Sequence, residues 1–228
     1  PHSPDSTVAA LADFVARGGR VIAAYNLPPA LAPLLGLTGK DWASTGPAAQ
    51  FSTMRFTSDS ASGIPESLRQ DSWNASIPKL TNATALAYWE NAAGVLSDVP
   101  AVTINTNGVF IGHVLTNIDR DHKKQLLLAL TARLLPDMKP VLAQGFMEQS
   151  LGLLSFSTWK EVRAFIMETA EAHDRVLSGM VRVDAVDRYH QQTMELMDEM
   201  PFGDILQRAD VTRKLIQETY FNVVADRG

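Results

Sequence analysis

Along its first half the chain alternates short apolar runs with glycine, proline and asparagine. Its second half carries longer stretches whose apolar residues recur every three to four positions. Val8, Leu11, Ala12 and Val15 give helical spacing from Ser6 to Arg17, and Gly18-Gly19 supplies a left-handed stop. RVIAAY, residues 20–25, is a short apolar run bounded by that glycine pair and by Asn26-Leu27-Pro28-Pro29, and it predicts a buried strand. Helix, tight turn and strand in this order suit an α/β layer fold. Pro28 and Pro29 fit a helix's first turn, where no amide donor is needed, and LAPLLG predicts one or two turns closed by Gly36.

Residues 36–50 read as loop. FSTMRF, residues 51–56, alternates like a half-exposed strand, Thr57 to Gly63 is a polar connector, and IPESLRQ predicts one helical turn. TALAYWE, residues 84–90, and AVTIN, residues 101–105, predict two further strands. Asn107-Gly108 then joins AVTIN to VFIGHV, and because both residues tolerate positive φ the pair predicts an antiparallel hairpin. The sheet is therefore expected to be mixed.

From Asp119 the pattern changes. DRDHKKQLLLALTARLL has an acidic first turn and an apolar stripe at Leu126, Leu127, Leu130 and Leu134, with Lys123-Lys124 assigned to a solvated face. Further helices are expected at about 138–151, 158–177, 180–199 and 204–223, with breaks near Pro136, Gly152–Ser157, Gly179 and Pro201-Phe202-Gly203. Of 45 charged residues, 31 lie from Asp119 onward, as solvated helix faces require. A boundary near Pro136–Pro140 divides an α/β domain, 1–136, from a helical extension, 137–228.

Composition narrows the function classes. The net charge of −5 argues against a nucleic-acid partner, because phosphate binding needs clustered Lys and Arg. No apolar run reaches the ~20 residues of a membrane span. Without cysteine there is no disulfide, thiolate metal site or cysteine nucleophile in this segment. The five histidines fall in no metal-binding spacing, so no metal and no cofactor is expected. Gly-x-Ser-x-Gly, a phosphate-cradling Gly-rich loop and Gly-x-Gly-x-x-Gly after a strand are all missing. Glu90 and Asp98 stand singly beside loops, a poor basis for a general-acid pair.

His113 is the candidate that remains. It closes a predicted strand just before a helix, at the kind of strand end where sites gather in α/β folds. Packing competes with function for it, since a histidine at a sheet edge is readily a hydrogen-bonded structural residue. His122, His173 and His190 suit solvated or structural roles. Trp42, Trp73, Tyr88 and Trp89 offer flat rings for a sugar face. Tyr88 and Trp89 point to opposite sides of one strand, so one of them belongs to the core. Asn74-Ala75-Ser76 and Asn82-Ala83-Thr84 match the glycosylation acceptor pattern.

LADFVARGGRVIAAYNLPPALAPLLGL is similar to the middle of class I glutamine-amidotransferase-like, flavodoxin-like domains, and PAVTINTNGVFIGHVL followed by a helix resembles that fold's closing hairpin. The run into helices ending in ETYFNVVADRG resembles the region ahead of the barrel in large bacterial proteins described as family 10-like glycosyl hydrolases. The resemblance implies a partial three-layer amidotransferase-like domain with a mixed sheet and an all-α extension, an interior piece of an extracytoplasmic protein whose catalytic barrel flanks it. It departs from a working amidotransferase in having neither Cys nor elbow, and His113 is followed by Val114 and Leu115 rather than by the His-x-Glu pattern.

The leading expectation is a non-catalytic structural or ligand-sensing domain of a carbohydrate-active protein. Tyr25, Asn26, Asn105, Asn107 and His113 are expected to meet a carbohydrate or other small polar ligand. One rival is a hydrolase with His113 as general base helped by Asp119. Another is a helical module, residues 138–223, that docks a neighbouring domain or subunit.

Overall fold

The computed structural model describes residues 5–44, 46, 49–57, 62–149, 156–172 and 176–225. The chain forms two compact units, one made of Pro1–Ser60 with Ile64–Pro136 and the other of Ala61–Gly63 with Asp137–Gly228.

The first unit is an α/β fold around a mixed sheet. Helix α1 (Asp5–Ala16) leads through Gly18, at φ +92°, into β1 (Val21–Ala24). β1 is followed by two single 3₁₀ turns that end at a left-handed Gly36. Next come β2 (Leu37–Ser44), β3 (Phe51–Phe56), β4 (Ser67–Ser72), β5 (Asn74–Leu80), β6 (Thr84–Glu90), β7 (Leu96–Asn105) and β8 (Gly108–Ile111), and then helix α2 (Arg120–Leu134). Six strands form one sheet in the order β1-β8-β7-β6-β3-β4, in which only β1 and β8 run parallel. β2 and β5 pair separately as an antiparallel ribbon.

β8 explains the layering. Its side chains alternate between two cores, as the two-residue period of a strand requires. Phe110 packs with Leu27, Leu31 and Leu35 of the 3₁₀ segment and with Val8 and Leu11 of α1, whereas Val109 and Ile111 join the cluster that holds Leu126 and Leu130 of α2. A strand buried on both faces reads as an unbroken apolar run, and VFI is one. Leu127, at 39% exposure, lies outside the stripe that its neighbours form.

Several expectations need correction. RVIAAY forms an edge strand, half buried, with Ile22 exposed. FSTMRF lies between β4 and β6 and is mostly buried. Residues 37–44 are strand rather than loop. The expected helical turn in IPESLRQ is instead the start of β4, and β5 had no sequence signal strong enough to place it. All three strands take their order from cross-strand partners, β2 from β5 and β4 from β3, which outweigh local propensity. The hairpin after AVTIN forms, with Asn105 opposite Gly108, but neither central residue has positive φ. Asn105 Oδ1 instead accepts the amides of Asn107 and Gly108, at 2.9 and 3.1 Å, which suits a type I turn with Asn first and Gly last. Glu90 is not isolated, because Arg55 grips it through Nε and Nη2 at 3.1 and 3.3 Å. Arg55 also reaches Glu66, and the two carboxylates, Glu90 first, hold its guanidinium above its ordinary range.

Gly36 does two jobs at once. Its carbonyl accepts the amides of Thr81, Asn82 and Ala83, and its left-handed φ of +72° is paired with a close approach to that same turn. An added Cβ would overlap Asn82 Oδ1 and lie 2.6 Å from the Ala83 nitrogen. Gly36→Ala is expected to cost about 2 kcal/mol from strain and overpacking together. A urea midpoint unchanged from wild type would contradict this.

The second unit is helical: α3 (Lys139–Glu148), α4 (Trp159–Ala172), α5 (Val176–Glu195) and α6 (Phe202–Ala225). Trp159, Val162, Ile166, Val183, Val186 and Ile216 form its core, and Trp159 Nε1 donates to Asp187 Oδ1 at 2.6 Å. Gly179 does not break the chain but lies inside α5, where a single glycine costs only about 1 kcal/mol. The expected break over 152–155 and the residue His173 lie outside the described residues.

Candidate functional site

β1 and β8 both end at the same edge of the sheet, so the residues that follow them meet. Tyr25 leaves β1 at φ +60°, a left-handed conformation that a tyrosine adopts only when its surroundings hold it there. Its amide donates to Ile111 O at 2.8 Å, and its carbonyl accepts the Ser76 hydroxyl at 2.7 Å. The ring faces His113 with centroids 5.0 Å apart. Trp42 Nε1 donates to the phenol oxygen at 3.2 Å, and Lys40 Nζ stands 5.8 Å from the ring centroid. Trp42, Tyr25 and His113 thus form a row of rings across the carboxyl ends of the parallel pair. Trp42 is 61% exposed, Tyr25 and His113 are half-buried, and Asn26 is exposed beside them.

The ribbon supports this row from behind. Ser76 lies opposite Trp42 in the β2–β5 register, and its amide donates to Gly112 O at 2.8 Å. Lys40 Nζ donates to Ser76 Oγ at 3.0 Å, so this fully buried hydroxyl is fixed between an ammonium and a carbonyl. It has no free proton direction for nucleophilic work. Of the two sequons, Asn74 is half-buried within β5, whereas Asn82 of the second is exposed.

His113 Nδ1 stands 2.9 Å from Val114 O and 3.2 Å from Gln70 Nε2, and the same amide nitrogen also donates to Val114 O. Donation from Nδ1 to the carbonyl leaves Nε2 as the open acceptor; accepting from Gln70 reverses the two roles. The pairing of His113 with Asp119 is not made. Asp119 sits at the left-handed N-cap position of α2, accepts the Arg69 amide through Oδ2 at 2.9 Å and holds His122 Nδ1 through Oδ1 at 2.8 Å. Its carboxylate has a structural task, tying the start of α2 to β4.

Asn105 and Asn107 are not part of this edge. They flank the start of β8, roughly 20 Å away at the strand rise of about 3.3 Å per residue, and both side-chain amides donate to Leu34 O at 2.9 Å. There they line a separate cleft of about 660 Å³ with Arg20, Asn82 and Arg133. The sequence placed all five polar residues at strand ends, but a strand has two ends, and the hairpin turn and His113 are on opposite ones.

Three neighbours of the site were not singled out from sequence. Gln70 is fully buried, and its Oε1 has no partner. Lys40 and Lys123 were missed as well. Lys123, expected on a solvated face, is only 4% exposed, with Nζ donating to Thr116 O and Oγ1 at 3.1 and 2.9 Å. Burial lowers its pKa, opposed by the charges of Asp119 and Asp71. The signal was present, since Lys123, Leu126 and Leu130 share one helical face at spacings of three and four. Of the aromatic candidates, Trp89 is wholly buried and Tyr88 half-buried, as their opposite directions require. Among the described residues no group of three acidic or histidine side chains could hold a metal ion, and no helix is long and apolar enough to cross a membrane. Compared with known proteins, the chain matches no family model, no curated protein and no solved structure.

Proposed function

We propose that the first unit is a non-catalytic ligand-recognition domain of a carbohydrate-active protein, binding a saccharide or similar polar ligand across the Trp42–Tyr25–His113 row. One observation carries the reading: three rings line the carboxyl edge of the parallel strands, and among the described residues no carboxylate bonds His113. Asp119 and Ser76 are each held in other hydrogen bonds, so neither pairs with His113 as a catalytic dyad. An open indole next to polar ring edges suits a sugar's apolar face and its hydroxyls instead. Hydrolysis in the parent protein would then belong to a flanking domain of the same chain, which this unit would serve by holding or sensing the carbohydrate.

Titration of the protein with soluble β-gluco-, xylo- and manno-oligosaccharides, followed by amide and side-chain chemical shifts, tests this reading. Shifts are expected at Tyr25, Trp42 and His113, and Tyr25→Ala is expected to weaken binding on the order of tenfold. Binding that leaves these three residues unmoved would remove the proposal.

A further inference from the structure

β4 carries one more residue than its partner between two points of register. Phe51 faces Ser72 and Thr53 faces Arg69, so two steps on β3 match three on β4. The bulge falls at Gln70 and Asp71, and Asp71 takes the left-handed φ of +48°. Bulges of this kind re-aim side chains and recur beside functional sites. Here the bulge turns Arg69 and Asp71 together, with Nε and Oδ2 2.8 Å apart, onto a cleft of about 670 Å³. Ser44, Ser52, Ser72 and Trp73 also line it.

Two features of this cleft lack an explanation in the fold. Trp73 is 83% exposed, the most exposed large apolar side chain among the described residues, although it connects two ordered strands. The residues on either side of it bury polar atoms without a partner. Ser72 is 6% exposed with its Oγ unpaired, and Asn74 Oδ1 is likewise buried and unpaired. Buried polar atoms are ordinarily paired, so both are exceptions beside the cleft. Arg69 Nη atoms and Asp71 Oδ1 make no hydrogen bond among the described residues, which leaves a donor fork and an acceptor side by side.

We infer that this cleft is a second carbohydrate subsite, in which Trp73 stacks on a pyranose face while Arg69 and Asp71 bond the ring's hydroxyls. A flat exposed indole matches the axial C–H face of a sugar. A guanidinium–carboxylate pair supplies the donors and acceptor that a vicinal diol needs. The inference rests on the carbohydrate reading of the domain and adds a locus separate from the Tyr25–His113 edge.

The four tryptophans give four indole N–H signals, and Trp73→Phe and Trp42→Phe assign the two exposed ones by deletion. The same oligosaccharide titration then reads both loci at once. The Trp73 signal is expected to move, with Trp73→Ala weakening binding on the order of tenfold and Asp71→Asn weakening it as well. Trp73 is so exposed that its replacement leaves the fold intact, which circular dichroism checks. Movement of Trp42 and His113 with a still Trp73 would overturn the subsite while the edge reading stands. Movement of Trp73 alone would support the subsite and overturn the edge. No movement at any indole would overturn both.

Discussion

Gly108→Ala is expected to lose about 3 kcal/mol or more of folding stability, and to unfold the first unit if its margin is small. Gly108 stands opposite Val21 in the parallel β1–β8 pair. A Cβ there would overlap the Val21 carbonyl oxygen outright, and would lie 2.9 Å from Leu35 Cδ2 and 3.0 Å from the Val21 carbonyl carbon. Backbone cannot yield as a flexible side chain can, so β1 would have to leave the sheet edge. The loss would carry Tyr25 away from His113, since both are positioned by that pair. Trp89, buried in the first unit's core, makes intrinsic fluorescence a suitable probe in urea unfolding. A variant with the wild-type midpoint would show that the parallel pairing is not what holds the edge together.

Lys123 provides the second large effect. Lys123→Ala is expected to cost about 2 kcal/mol or more, because it removes the packed stem and strands the Thr116 acceptors. Lys123→Met keeps the stem and removes the buried charge but strands the same Thr116 acceptors, so it is expected to cost less than Lys123→Ala without reaching wild type. The pH dependence separates the two contributions. Burial holds the folded-state pKa below its ordinary 10.5, so between the two values the unfolded chain binds more protons. Stability of the wild type therefore rises with pH through that window and levels off above about 10.5. Lys123→Met lacks this gain, so wild type is expected to improve relative to the variant as pH climbs. Parallel stability profiles for the two proteins would contradict a buried, charged Lys123.

Much of the fold was legible because period and punctuation agreed. The glycine stop after α1, the 3₁₀ turns ending at Gly36, the Asn105–Gly108 hairpin and the α2 stripe each combine an apolar repeat with a residue of special backbone preference. β2, β4 and β5 were illegible for a common reason. Their sequences, LTGKDWAS, SLRQDS and NASIPKL, are polar, the first and last carry glycine or proline, and only pairing with partner strands makes them strands. The candidate site inherited this gap. His113 and Tyr25 could be found at the ends of apolar runs, but Ser76, Lys40 and Gln70 lie on the unread strands. The polar residues of the hairpin turn were grouped with His113 because sequence shows that a strand ends, not at which edge of the sheet. Lys123 was misread because charge was given more weight than the helical face that it shares with Leu126 and Leu130.

The central claim, that the Trp42–Tyr25–His113 edge receives a carbohydrate without transforming it, is tested most directly by a crystal structure of the protein soaked with an oligosaccharide mixture. The claim predicts an intact sugar across the three rings, with its apolar face on Trp42 and its hydroxyls at His113. Sugar bound only elsewhere, or a cleaved product lying against His113, would contradict it.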